Sequence, residues 1–323
     1  MKKLLPLLLS LVCSVAYSQG YTALVRQADT LYARKNYKQS VGLYKQAFKI
    51  NQKSRIDLHK AAQSAALAGE DKLAFKWLLL AFKNYNLNMP SNLRRLKANQ
   101  DFIALHGGKK WKKLVTPMQK EVDQIEVNYD KPLQAALLQI GEDDQKYRGQ
   151  LRETAEKYSR DSREKQDLWK IINETDSINL IKVTTILDKY GWAGVDKVGE
   201  EANKTLFFVI QHSNLATQQK YLPMMREAVK NKQTNGHLLA LSEDRVALGE
   251  GGRQTYGSQI GRDNETGKSY VLPLDDPDNV DKRRLEVGLG PLAEYVKLWN
   301  IEWNVEAYKK QLPALEAKQR MKN

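Results

Sequence analysis

The feature that most constrains this chain is a recurrence at 34 residues close to its beginning. Leu24, Ala28, Leu31, Ser40, Tyr44 and Ala47 return, one period later, as Leu58, Ala62, Ala65, Ala74, Leu78 and Ala81. A period of that length describes a pair of helices that cannot bury its apolar face alone and must stack on a neighbour. Small residues at Ala28, Ser40 and Ala47 let paired helices approach, while Leu31 and Tyr44 fill the space between them. The segment Asn36-Tyr37-Lys38-Gln39-Ser40 reads as the turn of the first pair, and Gly69-Glu70-Asp71 as that of the second.

The spacing, the small positions and the large positions together resemble the tetratricopeptide repeat. The resemblance implies a short α-solenoid that captures a peptide or protein in its groove. The blander alternative is a brace for the next domain. Two departures stand out: Gln52 occupies the place of the usual proline, and Ala65 that of a larger residue. Two units leave an apolar side open. Asn88 to Val115 is expected to close it as a degenerate third unit, with Leu93, Leu96, Phe102, Leu105, Trp111 and Leu114 at helical intervals and a start signal at Pro90-Ser91. The run Lys109-Lys110-Trp111-Lys112-Lys113 is read as a solvated helix face with Trp111 buried, because nucleic-acid binding needs several such patches on one surface.

Ahead of the repeats stands a leader. Lys2 and Lys3 precede an apolar stretch from Leu4 to Ala16, and Ala16-Tyr17-Ser18 offers small residues where signal peptidase reads them. Residues 1–18 are therefore expected to be removed before Gln19, and the protein to be exported to a periplasm or secreted. Cys13 is preceded by Val12, too bulky for a lipidation site, and is the only cysteine of the 323 residues. The processed chain then has no disulfide, thiolate metal site or cysteine nucleophile. The full sequence carries a net charge of +14, which suits anionic envelope components or acidic protein surfaces, and export makes nucleic acid an improbable partner. No transmembrane helix is expected after cleavage.

The remainder reads as an α-rich domain over 117–308 with a β-hairpin near 253–274, followed by a charged tail over 309–323 expected to fray. A long helix is expected from Pro132 to about Ser159, irregular at Gly141, in which Asp144 and Arg148 stand four apart and can pair. A second helix covers Ser162 to Asn173, and a third, capped by Asp176 or Ser177, runs to Tyr190. Glu200 to His212 reads as a buried helix, although Leu206 to Ile210 would also suit a strand. Ala216 to Lys230 and His237 to Leu248 complete the helices. Gln254 to Ile260 and Lys268 to Leu274 read as paired strands, their turn carrying Asp263, Asn264 and Gly267. On such a strand Tyr256 and Ser258 share one face and Gln259 takes the other. A short helix with Arg283 and Arg284 and another after Gly290-Pro291 follow. The fold class is mainly α.

Five strings occur here in order: Phe207-Phe208-Val209-Ile210-Gln211-His212-Ser213, then Glu243-Asp244-Arg245-Val246, Tyr256-Gly257-Ser258-Gln259, Val280-Asp281-Lys282-Arg283-Arg284, and Val287-Gly288-Leu289 with Pro291-Leu292. Together they resemble an uncharacterised bacterial family, a domain of unknown function sometimes found behind tetratricopeptide repeats. The family often has Gln-His-Ala-Asp where this chain has Gln211-His212-Ser213-Asn214. The resemblance implies no known activity.

His212 is the candidate acid–base group, with Asp244 to orient it and Arg245 to hold an anionic group. Tyr256, Gln259, Arg148, Asp144 and Arg284 are candidate ligand-binding residues. Each has a structural alternative: a histidine at a helix end caps carbonyls, Asp244-Arg245 can be a structural pair, and Gln259 can tie the ribbon to the helices. His59, His106 and His237 are expected at the surface. No metal or cofactor is expected, since no HExxH spacing, calcium loop or phosphate loop occurs. Two functions follow: a non-catalytic exported protein whose repeats recruit a partner and whose second domain binds a ligand, or a hydrolase-like enzyme using His212 with Asp244 and Arg245.

Overall fold

The computed structural model describes residues 20–50, 54–85, 90–159, 161–263 and 266–321. The expected leader, the departure at Gln52, Asn88 and the turn residue Asn264 lie outside them. The chain is mainly α with one small two-stranded sheet, and it divides after Val127 into two compact units.

The first unit holds α1 (20–33), α2 (Tyr37–Ile50), α3 (Arg55–Leu67), α4 (Asp71–Tyr85), α5 (Pro90–Ala98), a 3-10 turn (Gln100–Leu105) and α6 (Lys109–Ile125). Its core is made of the recurring positions: Ala28, Tyr44, Ala47, Leu58, Ala62, Ala65, Ala74 and Leu78 are wholly inaccessible. Ser40 is buried too, and is satisfied by donating to the Ala28 carbonyl at 2.9 Å while meeting Ser64 Oγ at 3.0 Å. Three tyrosine hydroxyls cross between elements to carboxylates: Tyr21 to Asp57 at 2.6 Å, Tyr32 to Asp101 at 2.5 Å, and Tyr44 to Asp29. The helical region is compatible with repeats, and Leu93, Leu96, Phe102, Leu105, Trp111 and Leu114 are buried in its closing elements. Pro117, taken from the sequence as the start of the second domain, lies inside α6. His59 and His106, expected at the surface, are half-buried. His59 meets the Phe102 ring edge-on, and burial pushes its pKa down. His106 stacks on Trp111 at 4.1 Å.

The second unit begins with α7 (Lys131–Arg148) and α8 (Leu151–Lys157), followed by α9 (Arg163–Tyr190), α10 (Val195–His212, broken at Gly199), α11 (Leu215–Lys230) and α12 (Gly236–Gly249). The sequence suggested two helices where α9 is continuous. No glycine or proline interrupts it, and Thr175 and Ser177 return their hydroxyls to the Ile171 and Asn173 carbonyls, so neither needs to cap. Leu137, Ile140, Val183, Leu187, Ala202, Leu206 and Val209 form the core between α7, α9 and α10. Each large side chain buried there contributes about 1.5–3 kcal/mol. Gly141 is the close contact: a Cβ there would stand 2.4 Å from Thr205 Oγ1. Glycine is thus what lets α7 lie against α10.

The hairpin is shorter than expected. Among the described residues the antiparallel ladder is limited to β1 (Ile260–Arg262) and β2 (Ser269–Val271), with Ile260 opposite Val271, and Gln254 adds an isolated bridge to Leu274. The segment before β1 is a loop rather than a strand, for a reason given below. Helices α13 (Val280–Glu286) and α14 (Leu292–Val296) cover Val271, Leu274 and Tyr308 in a second small core. The described part of the tail is helical: it forms α15 (Val305–Arg320), capped by Asn304, with Tyr308 buried. Glu316 accepts from Arg253 at 2.6 Å, Gln319 donates to the Leu248 and Gly252 carbonyls, and Lys318 pairs with Asp263.

Candidate functional site

Three helices of the second unit each place one ionisable residue in an otherwise apolar register. On α7, Asp144 follows Leu137 and Ile140 at helical spacing. On α9, Asp176 follows Ile172 and precedes Asn179 and Val183. On α10, His212 follows Leu206 and Val209. Because α7, α9 and α10 pack together, these residues meet. Asp144 Oδ1 lies 3.1 Å from His212 Nδ1, and the Asp144 side chain is 1% exposed against 23% for His212. Gln145 donates to the other Asp144 oxygen at 2.6 Å. Arg148 reaches across to Asp176 with both terminal nitrogens, at 2.8 and 2.6 Å, and also donates to the Asp144 carbonyl at 2.9 Å.

The electrostatics follow from this packing. Burial pushes the Asp144 carboxyl up, but the hydrogen bond and charge of His212, the Arg148 guanidinium and Gln145 outweigh it. The group is held below the usual carboxylate range. A carboxylate facing Nδ1 selects the tautomer that carries its proton there, leaving the Nε2 lone pair free. His212 lines a cleft of about 260 Å³ with Asn173, Asp176, Ser177, Ser213 and Asn214. The arrangement is that of a partly exposed imidazole oriented by a buried acid at the wall of a cleft.

Asp244 does not orient His212, contrary to the sequence expectation. It is wholly buried, and its oxygens accept the backbone N–H groups of Thr255 at 2.7 Å, Tyr256 at 2.9 Å and Ser258 at 2.9 Å. Burial drives its carboxyl upward while these bonds pull against it. Three N–H groups turned onto one carboxylate are incompatible with a straight strand, and Gly257, at φ +69°, supplies the left-handed residue the loop needs. The expected alternation of Tyr256 and Gln259 across a strand therefore does not occur.

Arg245 likewise faces inward. It donates to Gln259 Oε1 at 3.0 and 3.2 Å and to the Gln211 carbonyl at 2.9 Å. Arg284, 1% exposed, donates to the Gly290 and Tyr256 carbonyls at 2.6 and 2.7 Å and lies 4.9 Å from the Tyr295 ring centre. Asp244, Arg245, Gln259 and Arg284 are thus brought together, but as the fastening of the 254–259 loop. Asp144 and Arg148 join His212 instead. Asn214 is the N-cap of α11, accepting from Thr217 N–H at 2.9 Å, a task aspartate performs equally. His237 is half-buried, and burial lowers its pKa.

Residues 131–308 match a family of unknown function, DUF6624. The chain belongs to that family. No curated protein and no solved structure matches it. The match covers α7 to the start of α15, so both the His212 cluster and the Asp244 cluster are inside the DUF6624 domain. No helix among the described residues is long and apolar enough to cross a membrane.

Asp144, Asp176 and His212 offer ligand atoms within 4.8 Å of one another, the chemistry of a divalent-cation site. A cation is already engaged there: Arg148 forks onto Asp176 and stands 3.4 Å from Asp144 Oδ1. A metal ion has to displace that guanidinium, so these residues fit an ion pair better than a metal.

Sequence reasoning missed two members of this cluster in their present roles. Asp176 was read as a helix cap, and Asp144 as a partner of Arg148 and a candidate ligand-binding residue, not as the acid facing His212. The signal was available: each is an acid at a core-facing position of an apolar stripe, where charge is costly unless paired.

Proposed function

We propose that this is an exported protein, periplasmic or secreted, in which tetratricopeptide-type helices recruit a protein or peptide and the DUF6624 domain holds a small polar ligand beside His212. The observation that carries the second part is the 3.1 Å contact between buried Asp144 and His212 Nδ1 at the wall of a polar cleft. A histidine kept only for structure needs no second face on an open cleft. His212 Nε2 accepts a hydrogen bond from the ligand, and the Asn173 and Asn214 side chains line the same space. Asp244 and Arg245 take no part in this reading.

The test is a titration of the full chain with a panel of polar metabolites, following the His212 ring by NMR. A ligand of this cleft shifts those resonances, and His212→Ala weakens it at least about tenfold without moving the urea midpoint. A panel that leaves the ring untouched, with a midpoint that collapses in His212→Ala, removes the reading.

The same oriented imidazole favours a second reading, a hydrolase-like enzyme in which Asp144 replaces Asp244 as the orienting acid. Nε2 then takes a proton from a water that attacks the substrate. General base catalysis of this kind contributes about 10²–10⁴-fold. Turnover lost in both His212→Ala and Asp144→Asn, with ligand binding retained in the second, selects it over binding alone.

A further inference from the structure

We propose that the groove between α4 and α6 is the docking site of an amphipathic helix from a partner protein, its apolar stripe flanked by acidic residues. This rests on the recruiting role given to the first unit and names the chemistry of what is recruited. The groove has a volume of about 620 Å³ and a floor of Phe75, Leu79, Leu80 and Leu114. Leu79 is 54% exposed, although it sits one turn beyond the buried Phe75. Two lysines rise on each wall: Lys72 and Lys76 from α4, Lys110 and Lys113 from α6. The last two belong to the basic run around Trp111, whose ring is buried beneath them.

Among the described residues none of these four lysines has an acidic partner, whereas Lys45 and Lys60 of the same unit pair with Glu70 and Asp29 at 2.7 and 2.6 Å. Lys110 instead lies 5.9 Å from the Phe75 ring centre. Four unpaired ammonium groups around an apolar floor repel one another and call for several negative charges. The charges stand on both walls along the groove. A helix with acids on both sides of an apolar stripe meets all four, its i, i+3, i+4 and i+7 side chains on the floor. A single acyl chain with one acidic head meets the rim at one end only. The α4 wall, Lys72 to Leu80, spans about two turns, or ~12 Å at 1.5 Å per residue, which suits a short helical segment.

The probe is an 18-residue synthetic peptide with leucines on one helical face and glutamates on both flanks, measured by fluorescence anisotropy against the full chain. Controls are the same peptide with lysine for glutamate, and phosphatidylglycerol vesicles. The glutamate peptide is expected to bind and the lysine peptide not. The quadruple variant K72E/K76E/K110E/K113E is expected to weaken binding at least about tenfold with an unchanged melting curve. The milder glutamine set should lie between. Equal binding by the variant, binding of both peptides alike, or a preference for the vesicles overturns the proposal. So does self-association of the chain that the four substitutions abolish. Peptide binding that survives these substitutions but is lost in R55E/K60E places recruitment at a separate cavity of the unit, lined by Arg55, His59, Lys60 and Phe82. That refutes this groove while leaving recruitment itself standing. Failure of the peptide to bind anywhere refutes both.

Discussion

Among its described residues the DUF6624 domain has two carboxylates that water scarcely reaches, Asp144 and Asp244, and they are held in opposite ways. Asp244 spends both oxygens on backbone N–H groups of one loop, and the cations near it, Arg245 and Arg284, end on carbonyls and on Gln259. Both oxygens of that carboxylate are engaged inside the fold. Asp144 is equally buried but spends its oxygens on side chains, and one of them, His212, opens on a cleft. The comparison separates architecture from a site. A saturated buried ion fixes a chain segment, because every partner lost leaves an unsatisfied group worth about 1–3 kcal/mol. A buried ion whose last partner is half in solvent instead orients a group for an outside molecule.

The sharpest way to break this contrast is Asp244→Ala. It strands three buried N–H groups and should lower the stability of the second unit by more than about 3 kcal/mol, or prevent folding, as read by urea unfolding. Arg284→Ala comes next, at about 2–3 kcal/mol, since two carbonyls lose a charged donor and Tyr295 loses its stacked partner.

Acidification sharpens the other half. The Asp144 pKa is depressed in the folded chain, so its contribution is fully present above the ordinary carboxylate range and is lost as pH falls through the lower folded value. Unfolding midpoints in wild type should therefore fall below about pH 4 more steeply than in Asp144→Asn. In that variant 15N shifts of His212 should show its ring losing the single Nδ1–H tautomer. The smallest effect belongs to Asn214→Asp. Either residue caps α11, and stability should change by less than about 0.5 kcal/mol, with ligand binding unchanged. A large gain of activity in that variant would mean the histidine draws on an acid at 214 after all.

Most of the core of the first unit was legible because small and large positions recur, and all of them but Leu24 and Leu31 are buried. The helices over 200–212, 216–230 and 237–248 were legible for the same reason, periodicity over a sufficient length. Four things were not. The single helix expected from Pro132 to about Ser159 ends at Arg148 and resumes as α8 at Leu151. The break expected near Asp176 failed because serine and threonine can return their hydroxyls to the preceding turn, which makes capping residues ambiguous inside a helix. The strand expected over 254–260 failed because its direction is set by Asp244, ten residues upstream and on another element. The tail composition said solvent, but Tyr308, Leu312 and Leu315 carry enough apolar surface to dock α15 on the small core.

The site was half legible. His212, Asp144 and Arg148 were each conspicuous, yet Asp144 and His212 are 68 residues apart, a contact no local spacing encodes. The sequence reading named Asp244 as the acid instead. The strings that carry the family resemblance drew attention to Asp244, Arg245, Gln259 and Arg284, and packing turns them inward. An acid at a core register of an amphipathic helix would have been the better guide.

The most direct test sets His212→Ala beside Asp244→Ala in urea unfolding of the full chain. The prediction is a loss beyond about 3 kcal/mol for Asp244→Ala and within about 1 kcal/mol for His212→Ala, whose neighbour Asp144 keeps Arg148 and Gln145. Equal losses in the two variants would mean that His212 is as structural as Asp244 and that the cleft beside it is not the working site of the domain.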